Sequence, residues 1–386
     1  MTKELRTDWF MFVIAAGLAL FGALMVYSAS AMMAMKESGE SSQYTYFVKQ
    51  SIFVIVGIAA MFVVSRIDYH VFENKWVIIG ILAITSIALL AVFAFPPING
   101  AQRWIRFGGF SFQPSELAKI ALPMFLAWFL TKNEDSVTEV KSTVLPALGG
   151  FGLLAGLVML EKDLGTTIVL CAIFSAVYFT AGARLMHIGT VAAGLVVIGA
   201  GAIFFAPWRV ARIMAFLDPY KYSDDEAYQV VQSLYAIGSG GIFGEGFAKG
   251  TQKLFYLPYP YSDFIFSVVG EELGLVGTMA VVVVFGLLLW RGARAALMAP
   301  DRFGTLLGIG LITGIIAQAL FNISVVISIL PAKGIPLPFI SYGGSSVLIT
   351  LIGVGILLSI SRHAGNTPKK EPANGLGSYR RRTRAA

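Results

Sequence analysis

The chain has 386 residues, of which 56% are hydrophobic and only 13% are charged. Charged residues make up about a quarter of soluble globular domains, so this composition excludes a water-soluble globule and predicts a polytopic membrane protein. Much of the net charge of +7 lies in the C-terminal tail, which favours a bias toward membrane surfaces over nucleic-acid binding. The single cysteine, Cys171, excludes an intrachain disulfide framework.

The first apolar run, at about 9–33, is long enough to cross a hydrocarbon layer about 30 Å thick. The string YSASA at 27–31 resembles a signal-peptide cleavage site, but the apolar stretch before it exceeds the about 7–15 residues of a signal, which favours a retained first span. The whole pattern predicts an all-α polytopic membrane protein with about ten transmembrane helices. The later apolar runs lie at 46–65, 72–95, 112–131, 143–161, 164–182, 185–207, 263–290, 304–330 and 343–361.

The basic residues choose the orientation of these spans. An even number of spans puts both termini on one side, and more than half of the 29 Lys and Arg residues lie on that side. By the positive-inside rule both termini are cytoplasmic. We therefore predict one transmembrane domain at 1–363, with a large extracellular loop at 208–262 between helices 7 and 8. Residues 364–386 are predicted to be a disordered basic cytoplasmic tail, either a topology anchor or a contact for anionic lipids or a partner.

The 208–262 loop is rich in aromatic residues, unlike a solvated linker. WRVARIMAFLDP predicts an amphipathic interfacial helix whose polar face carries Arg209 and Arg212. YQVVQSLYAIGSGG predicts a short re-entrant helix that carries Gln232 and lines a cavity, with simple amphipathic docking as the alternative. GSGGIFGEG at 238–246 lacks the Gly-Lys-Ser/Thr ending of a nucleotide loop, and its glycines indicate tight turns and close backbone approach to a membrane-embedded ligand.

Ionisable residues near the spans are the next candidates, because a charge in the membrane core costs at least about 2.5–3.5 kcal/mol unless it is paired or used. Glu116 and Lys119 are three residues apart on one predicted helix and could pair with each other. Alternatively, Lys119 could join Arg103 and Arg106 of the preceding outer loop in binding a lipid pyrophosphate. The sequence leaves both interpretations open.

Asp263 lies where the large loop meets the next apolar run. As a helix N-terminal residue it would cap the helix and stay ionised. As a general base it would take a proton from an incoming hydroxyl, which requires a partly desolvated position; the two roles are compatible. The three histidines are scattered, which excludes a histidine metal centre or a Ser/His/Asp triad. Glu271 and Glu272, further along the same run, are predicted to have a packing or pairing role.

Four blocks of sequence carry a resemblance to a known family. GAQRWIRFGGFSFQPSELAK, EKDLGTT, QKLFYLPYPYSDFIFSVVGEELG and NISVVISILPAKGIPLPFISYGGSS resemble, in order and over nearly the whole chain, the signature blocks of the SEDS family. QKLFYLP and LPAKGIPLPFISYGGSS are similar to its cell-division branch more than to its elongation branch, and the sporulation branch is also close.

The resemblance implies a peptidoglycan glycosyltransferase that polymerises lipid II at the outer face of the bacterial cytoplasmic membrane, for septal wall synthesis in cell division. A lipid II flippase, an elongation-type polymerase and a non-catalytic scaffold are the alternatives. By motif position, Asp263 matches the essential aspartate of the family, Trp104 its outer-loop tryptophan and Lys119 its conserved lysine. Lys333 and Ser341 in the last block are further candidates for substrate binding.

The implied mechanism has Asp263 deprotonate the acceptor sugar, while a lipid-linked donor chain loses undecaprenyl pyrophosphate. Arg and Lys residues, or a loosely bound divalent cation such as Mg²⁺ or Mn²⁺, would meet the charge of the leaving group; no tightly bound cofactor and no dedicated metal site are expected. Some relatives carry an arginine where this chain has Ser111, so phosphate contacts would fall to Arg103 or Arg106. The implied protein partners are a class B penicillin-binding protein (an FtsI-type transpeptidase) and other divisome proteins.

The predicted topology can be checked with one substitution. A cysteine at Ser223→Cys, in the predicted extracellular loop, should react with a membrane-impermeant thiol reagent in intact cells stripped of their outer barrier. Protection of this cysteine until the cells are lysed would show that the loop is inside.

Overall fold

A computed structural model gives the fold of the chain. Outside 185–206, where it describes only residues 186, 189, 194 and 201, it covers residues 7–37, 42–97, 101–107, 110–184, 207–223, 227–254 and 256–364. The helices of this part are α1 (Trp9–Glu37), α2 (Thr45–Arg66), α3 (Lys75–Ala91), α4 (Pro114–Lys132), α5 (Leu145–Leu160), α6 (Leu164–Thr180), α7 (Pro207–Leu217), α8 (Tyr228–Ser239), α9 (Ile265–Leu297), α10 (Arg302–Val326) and α11 (Gly344–His363). A two-stranded antiparallel hairpin of β1 (Ile105–Phe107) and β2 (Phe110–Phe112) precedes α4.

Within the described residues, seven helical stretches are long and apolar enough to cross a membrane. They comprise α1, α2, α3 with the turn after it, α5 with the turn before it, α9, α10 and α11. The shorter apolar helix α6 and the 19-residue α4 pack among them. The predicted helical polytopic membrane fold is therefore confirmed. The predicted span at 185–207 and the tail after 364 lie, apart from a few single positions, outside the described residues.

The loops predicted to face outward gather at one end of the helix bundle. The residues flanking the β1–β2 hairpin (101–104 and 113), the turn at 161–163, the turn at 258–264 and the loop at 331–343 all contribute to one cavity there. Residues predicted to face the cytoplasm lie elsewhere: Arg291 Nη2 is 2.6 Å from Asp8 Oδ2, and Arg302 Nη1 is 2.6 Å from Glu134 Oε1. None of these four residues lines the cavity, and the orientation of the bundle in a membrane stays a prediction.

Both predicted helices of the large loop are present, as α7 and α8. After α8 the chain turns back against α9, which has a break at Gly274, where φ is 66°. A Cβ on Gly240 would lie 1.9 Å from the carbonyl oxygen of Gly270, and one on Gly244 would lie 2.2 Å from that of Glu272. Gly240 and Gly244 therefore make a close backbone approach to α9, while the predicted approach to a ligand stays a prediction.

Glu271 and Glu272 hold this returning chain in place. Glu272 Oε1 lies 2.5 Å from Lys253 Nζ and accepts a hydrogen bond of 2.5 Å from Ser28 Oγ of α1. Glu271 Oε1 accepts a bond of 2.6 Å from the backbone N–H of Thr251. Both carboxylates are fully buried, and buried charges persist only where partners compensate their desolvation. Of the predicted packing or pairing role, Glu272 shows the ion pair, whereas Glu271 is buried and accepts hydrogen bonds from Thr251 and Gln252.

The contact between α8 and α9 leads to a prediction about stability. Gly240→Ala forces a methyl group into a backbone carbonyl, and such overpacking costs about 1–3 kcal/mol. Gly238→Ala, two residues earlier, is the matched control, because its Cβ meets nothing within 4 Å. We expect thermal unfolding in detergent to show a lower midpoint for Gly240→Ala alone. Equal midpoints for the two variants would contradict the close packing.

Candidate active site

Asp263 lies in the irregular turn just before α9. The helix begins at Ile265, and its N-cap residue is Phe264, which makes no capping bond with its side chain. The Asp263 carboxylate instead accepts a hydrogen bond of 3.1 Å from Ser262 Oγ at Oδ1. The interpretation of Asp263 as a helix cap is therefore wrong, and the carboxylate remains available for another role.

Asn322 of α10 fixes the backbone of this turn. Its Nδ2 donates to the carbonyl oxygens of Asp263 and Ile335, each at 2.7 Å, and so joins the turn to the loop at 331–343. Gly334 in that loop lies directly against the carboxylate, because a Cβ there would be 2.7 Å from Asp263 Oδ2. A side chain at position 334 would therefore displace the Asp263 carboxylate.

Ser341 makes a second link between the same two segments. Its Oγ donates to the carbonyl oxygen of Ser262 at 2.7 Å, and the Tyr342 N–H donates to the carbonyl oxygen of Tyr261 at 2.8 Å. Ser341, predicted to bind substrate, is 2% exposed and does not line the cavity. The structure places it as a brace for the turn that carries Asp263.

The surroundings of Asp263 make its carboxyl more basic. Burial raises its pKa to about 6, and nearby Asp163 acts in the same direction, while the bond from Ser262 and the charge of Arg103 favour the ionised form. A carboxylate with this pKa is ionised at neutral pH and accepts a proton more readily than an ordinary aspartate does. These are the properties that general-base catalysis requires.

Asp263 faces a cavity of about 790 Å³ at the end of the bundle where the predicted outer loops meet. Four of the other predicted site residues line the same cavity: Arg103, Trp104, Arg212 and Lys333. The site therefore combines two carboxylates, Asp263 and Asp163, with three cationic side chains and an indole. The remaining lining residues are Ala101, Gln113, Asp163, Thr166, Tyr228, Gln229, Pro258, Tyr259, Tyr261, Ser262, Phe264, Ala332, Gly334, Pro336, Tyr342, Gly343 and Ser346.

The turn between α5 and α6 positions Arg103. The Arg103 Nη2 donates to the carbonyl oxygen of Lys162 at 2.6 Å, and Nη1 lies 3.9 Å from Asp163 Oδ1. Asp163 also caps α6 by accepting a bond of 3.1 Å from the Thr166 N–H, and it accepts a bond of 3.1 Å from Gln113 Nε2. Its carboxylate is thus already committed to protein donors, and it holds the guanidinium at the cavity wall.

Glu161, in the same turn, is the least satisfied acid near the site. It is 1% exposed, and neither carboxyl oxygen has a hydrogen-bond partner. Burial and the neighbouring Asp163 raise its pKa to about 9, although Arg103 opposes this shift. Glu161 is therefore a neutral acid at physiological pH.

Glu116 and Lys119 pair with each other on α4, with Oε2 and Nζ 2.6 Å apart. Lys119 also donates to Gln318 Oε1 of α10, and Gln318 Nε2 donates to the carbonyl oxygen of Pro336 at 2.8 Å. This chain of contacts ends at the loop beside Asp263. Neither Glu116 nor Lys119 lines the cavity, so the structure places the pair behind the site.

Two other predicted binding residues, Arg106 and Gln232, do not line the cavity. Arg106 is exposed on strand β1, opposite Ser111, and Gln232 lies on α8 outside the lining. The side chain of Arg209 on α7 lies outside the described residues. Their proposed contacts with substrate stay predictions.

The chain matches the family model described as cell cycle protein, for FtsW, RodA and SpoVE, over residues 8–366. A probable peptidoglycan glycosyltransferase FtsW from Geobacter metallireducens is 41% identical over 377 residues, which cover 95% of this chain and 98% of the relative. The stage V sporulation protein E of Bacillus subtilis is 38% identical over 369 residues, covering 94% of this chain and 99% of the relative. The chain belongs to the FtsW/RodA/SpoVE family.

Solved structures share the fold of this FtsW/RodA/SpoVE protein. One is a chain of a peptidoglycan synthase complex that coordinates polymerization and crosslinking. It aligns with a TM-score of 0.76 at 27% identity, and the alignment covers 93% of this chain and 98% of the solved chain. The rod shape determining protein RodA of Thermus thermophilus aligns with a TM-score of 0.68 at 26% identity and the same coverage. The SEDS resemblance seen in the sequence motifs is therefore confirmed.

Several residues of the site were not predicted from the sequence of this family member. Asp163 was seen only as part of the EKDLGTT block, although two acids in a short turn between apolar runs could have marked it. Asn322 sits in an apolar run, where a lone amide indicates a buried hydrogen-bonding role. Gln229 lies three residues before Gln232, and the helical phase decides which of the two reaches the cavity.

The unpaired Glu161 predicts a pH-dependent stability difference. The ordinary pKa of a glutamate is 4.5, and in the folded protein the pKa of Glu161 is about 9. Between these two pH values Glu161 is ionised in the unfolded chain and protonated in the folded one. The free energy of unfolding therefore falls as the pH rises. Glu161→Gln resembles the neutral acid and removes this penalty. The thermal midpoint of Glu161→Gln minus that of the unmodified protein should therefore increase as the pH is raised from about 5 to about 8.

The exposed carboxylate of Glu245 supplies the control for this measurement. Glu245→Gln should shift the midpoint by a similar small amount at every pH. A difference for Glu161→Gln that stays constant with pH would mean that Glu161 is ionised in the folded protein.

Proposed function

We propose that this protein is a peptidoglycan glycosyltransferase that polymerises lipid II at the outer face of the bacterial cytoplasmic membrane. The observation that carries the proposal is the shared cavity, in which the raised-pKa carboxylate of Asp263 and the cations Arg103, Arg212 and Lys333 line one space. A base and a set of cations are what a reaction between a hydroxyl and a lipid pyrophosphate requires. The name of the Geobacter relative supports the same activity.

In the proposed reaction the C4 hydroxyl of the acceptor GlcNAc gives its proton to Asp263. The hydroxyl oxygen forms a bond to the anomeric carbon of the lipid-linked donor, and the bond from that carbon to the pyrophosphate oxygen breaks. The departing undecaprenyl pyrophosphate keeps the electron pair of that bond. Asp263 later releases the proton to water, which restores the base for the next addition.

The cationic side chains stabilise the departing pyrophosphate. Negative charge on its bridging oxygen grows as the bond breaks, so fixed cations lower the barrier more than they strengthen ground-state binding. Among the described residues, no group of three or more His, Cys, Asp or Glu side chains could form a metal site. We propose that a divalent cation, Mg²⁺ or Mn²⁺, where one takes part, is held loosely and chiefly by the pyrophosphate itself.

We further propose a septal role in cell division and an FtsI-type class B penicillin-binding protein as partner, together with other divisome proteins. The names of the FtsW relatives favour division, and the peptidoglycan synthase complex among the structural neighbours favours a partner that performs crosslinking. Both termini would lie in the cytoplasm. The cavity alone would also suit a lipid II flippase, which needs cations but no base.

The decisive variant is Asp263→Asn, which keeps the size of the side chain and removes the base. Polymerisation of purified lipid II should fall by about 10²–10⁴-fold, while lipid II binding and thermal stability stay near normal. In the unmodified protein the rate should decrease as pH falls through about 6, because protonation disables the base. Glu245→Gln, an exposed carboxylate outside the cavity, is the matched control.

The assay is run with and without the purified class B partner, which we expect to stimulate polymerisation. Unchanged polymerisation by folded, partner-bound Asp263→Asn would refute the catalytic assignment. Lipid II transport without any polymerisation by the unmodified protein would favour the flippase. Full activity without a partner would refute the activation proposal alone.

A further inference from the structure

The loop at residues 240–247, between α8 and the segment that leads to Asp263, exposes large apolar side chains. Phe243 is 82% exposed, more than any other large hydrophobic residue of the described chain, and Ile242 is 60% exposed. Two adjacent apolar side chains that are this exposed indicate a surface that contacts lipid or another protein. The enzyme mechanism makes no use of either residue.

This 240–247 loop is fixed to α9 and does not hang free. At the break in α9 beside Gly274, the N–H groups of Leu275 and Val276 donate to the carbonyl oxygens of Gly241 and Ile242, at 2.9 and 3.1 Å. The loop thereby supplies acceptors for helix N–H groups that the break leaves without intrahelical partners. The direction in which Ile242 and Phe243 project is set by these bonds.

In the second half of the 240–247 loop, the loop donates hydrogen bonds to α9 instead of accepting them. The N–H groups of Glu245 and Gly246 donate to the carbonyl oxygens of Glu271 and Glu272, at 2.9 and 3.0 Å. Irregular backbone is tolerated at the depth of the hydrocarbon only where the protein satisfies its polar groups. The 240–247 loop meets this requirement through α9.

The apolar surface of the loop is continuous with the exposed face of α9. Leu275 and Val276, which bond to the loop, are 53% and 54% exposed, and Met279 and Val283 extend the same exposed apolar surface along the helix. Because α9 is a membrane-spanning helix by length and hydropathy, an exposed apolar face on it contacts lipid acyl chains. Surface contiguous with that face lies at the edge of the same apolar layer.

Charged residues mark where this apolar surface ends. Glu245 and Lys249, just after the apolar pair, are both exposed. Charged side chains near a membrane boundary extend toward headgroups and water. The chain thus runs from the apolar pair through Glu245 and the exposed Phe247 to Lys249, and such mixing of charged and apolar side chains is expected where a loop leaves a leaflet at its surface.

We propose that Ile242 and Phe243 insert among the acyl chains of the leaflet at the cavity end of the bundle. The insertion anchors the segment between α8 and α9 to the lipid surface and so fixes the height of the cavity above the hydrocarbon. The proposal depends on α9 spanning the membrane and is independent of the role of Asp263.

The test uses single labels in a bilayer. Cys171→Ala removes the one native cysteine, and Phe243→Cys and Lys249→Cys are then each labelled with an environment-sensitive fluorophore in purified full-length protein. The proteins are reconstituted into vesicles of phosphatidylethanolamine and phosphatidylglycerol. Quenching is measured with a nitroxide carried on lipid acyl chains and with aqueous iodide.

We expect the label at 243 to be quenched by the acyl-chain nitroxide and protected from iodide, and the label at 249 to show the reverse. Both positions are exposed, so unchanged thermal midpoints will confirm that the labels leave the fold intact. Equal quenching by iodide at the two positions would overturn the proposal. Protection at 243 that arises only when the class B partner is added would also overturn it, in favour of a protein-docking surface.

Discussion

The turn that carries Asp263 is irregular backbone inside a helical membrane protein, and its polar groups must be satisfied by side chains from elsewhere. Asn322 meets this need from α10, and Ser341 meets it from the loop before α11. The next helix, α10, and the loop before α11 therefore determine the position of one carboxylate. A buried amide or hydroxyl with two partners is costly to lose, because its removal leaves the partner carbonyl without a donor.

Charges in this protein divide into two groups by their surroundings. Lys253 with Glu272, and Lys119 with Glu116, are buried ion pairs that hold segments together around the cavity. Asp263 instead faces the cavity, where burial raises its pKa and its side-chain partner in the protein is the hydroxyl of Ser262. In the first group the attraction between the paired charges offsets the cost of their desolvation. The second keeps the capacity to change its protonation state.

Apolar run length predicted the helical fold, because a span must hide about 20 residues of backbone from water and lipid alike. Run length does not locate the first residue of a helix to within two positions. The helix begins at Ile265, two residues after Asp263, and for this reason the interpretation of Asp263 as the helix cap is wrong. The motif blocks contain Arg103, Trp104 and Lys333, which line the cavity, while their contacts with substrate stay predictions.

Other parts of the site depend on contacts that local sequence does not encode. Lys119 could extend into the cavity or bond to Glu116 and Gln318, depending on how α4 is rotated against α10. This rotation follows from packing between helices that are distant in sequence. The glycines at 240 and 244 show that a close approach exists, but only the fold shows that α9 is the element approached.

The bond between Ser28 and Glu272 joins residues 244 positions apart. Arg291 and Asp8 tie the same two helices together at their other ends. During synthesis α1 therefore enters the membrane long before α9 exists. The face of α1 that carries Ser28 is not packed against α9 until α9 has been made. Closure of the bundle is consequently a late event, since α1 completes its packing only after α9 has been translated.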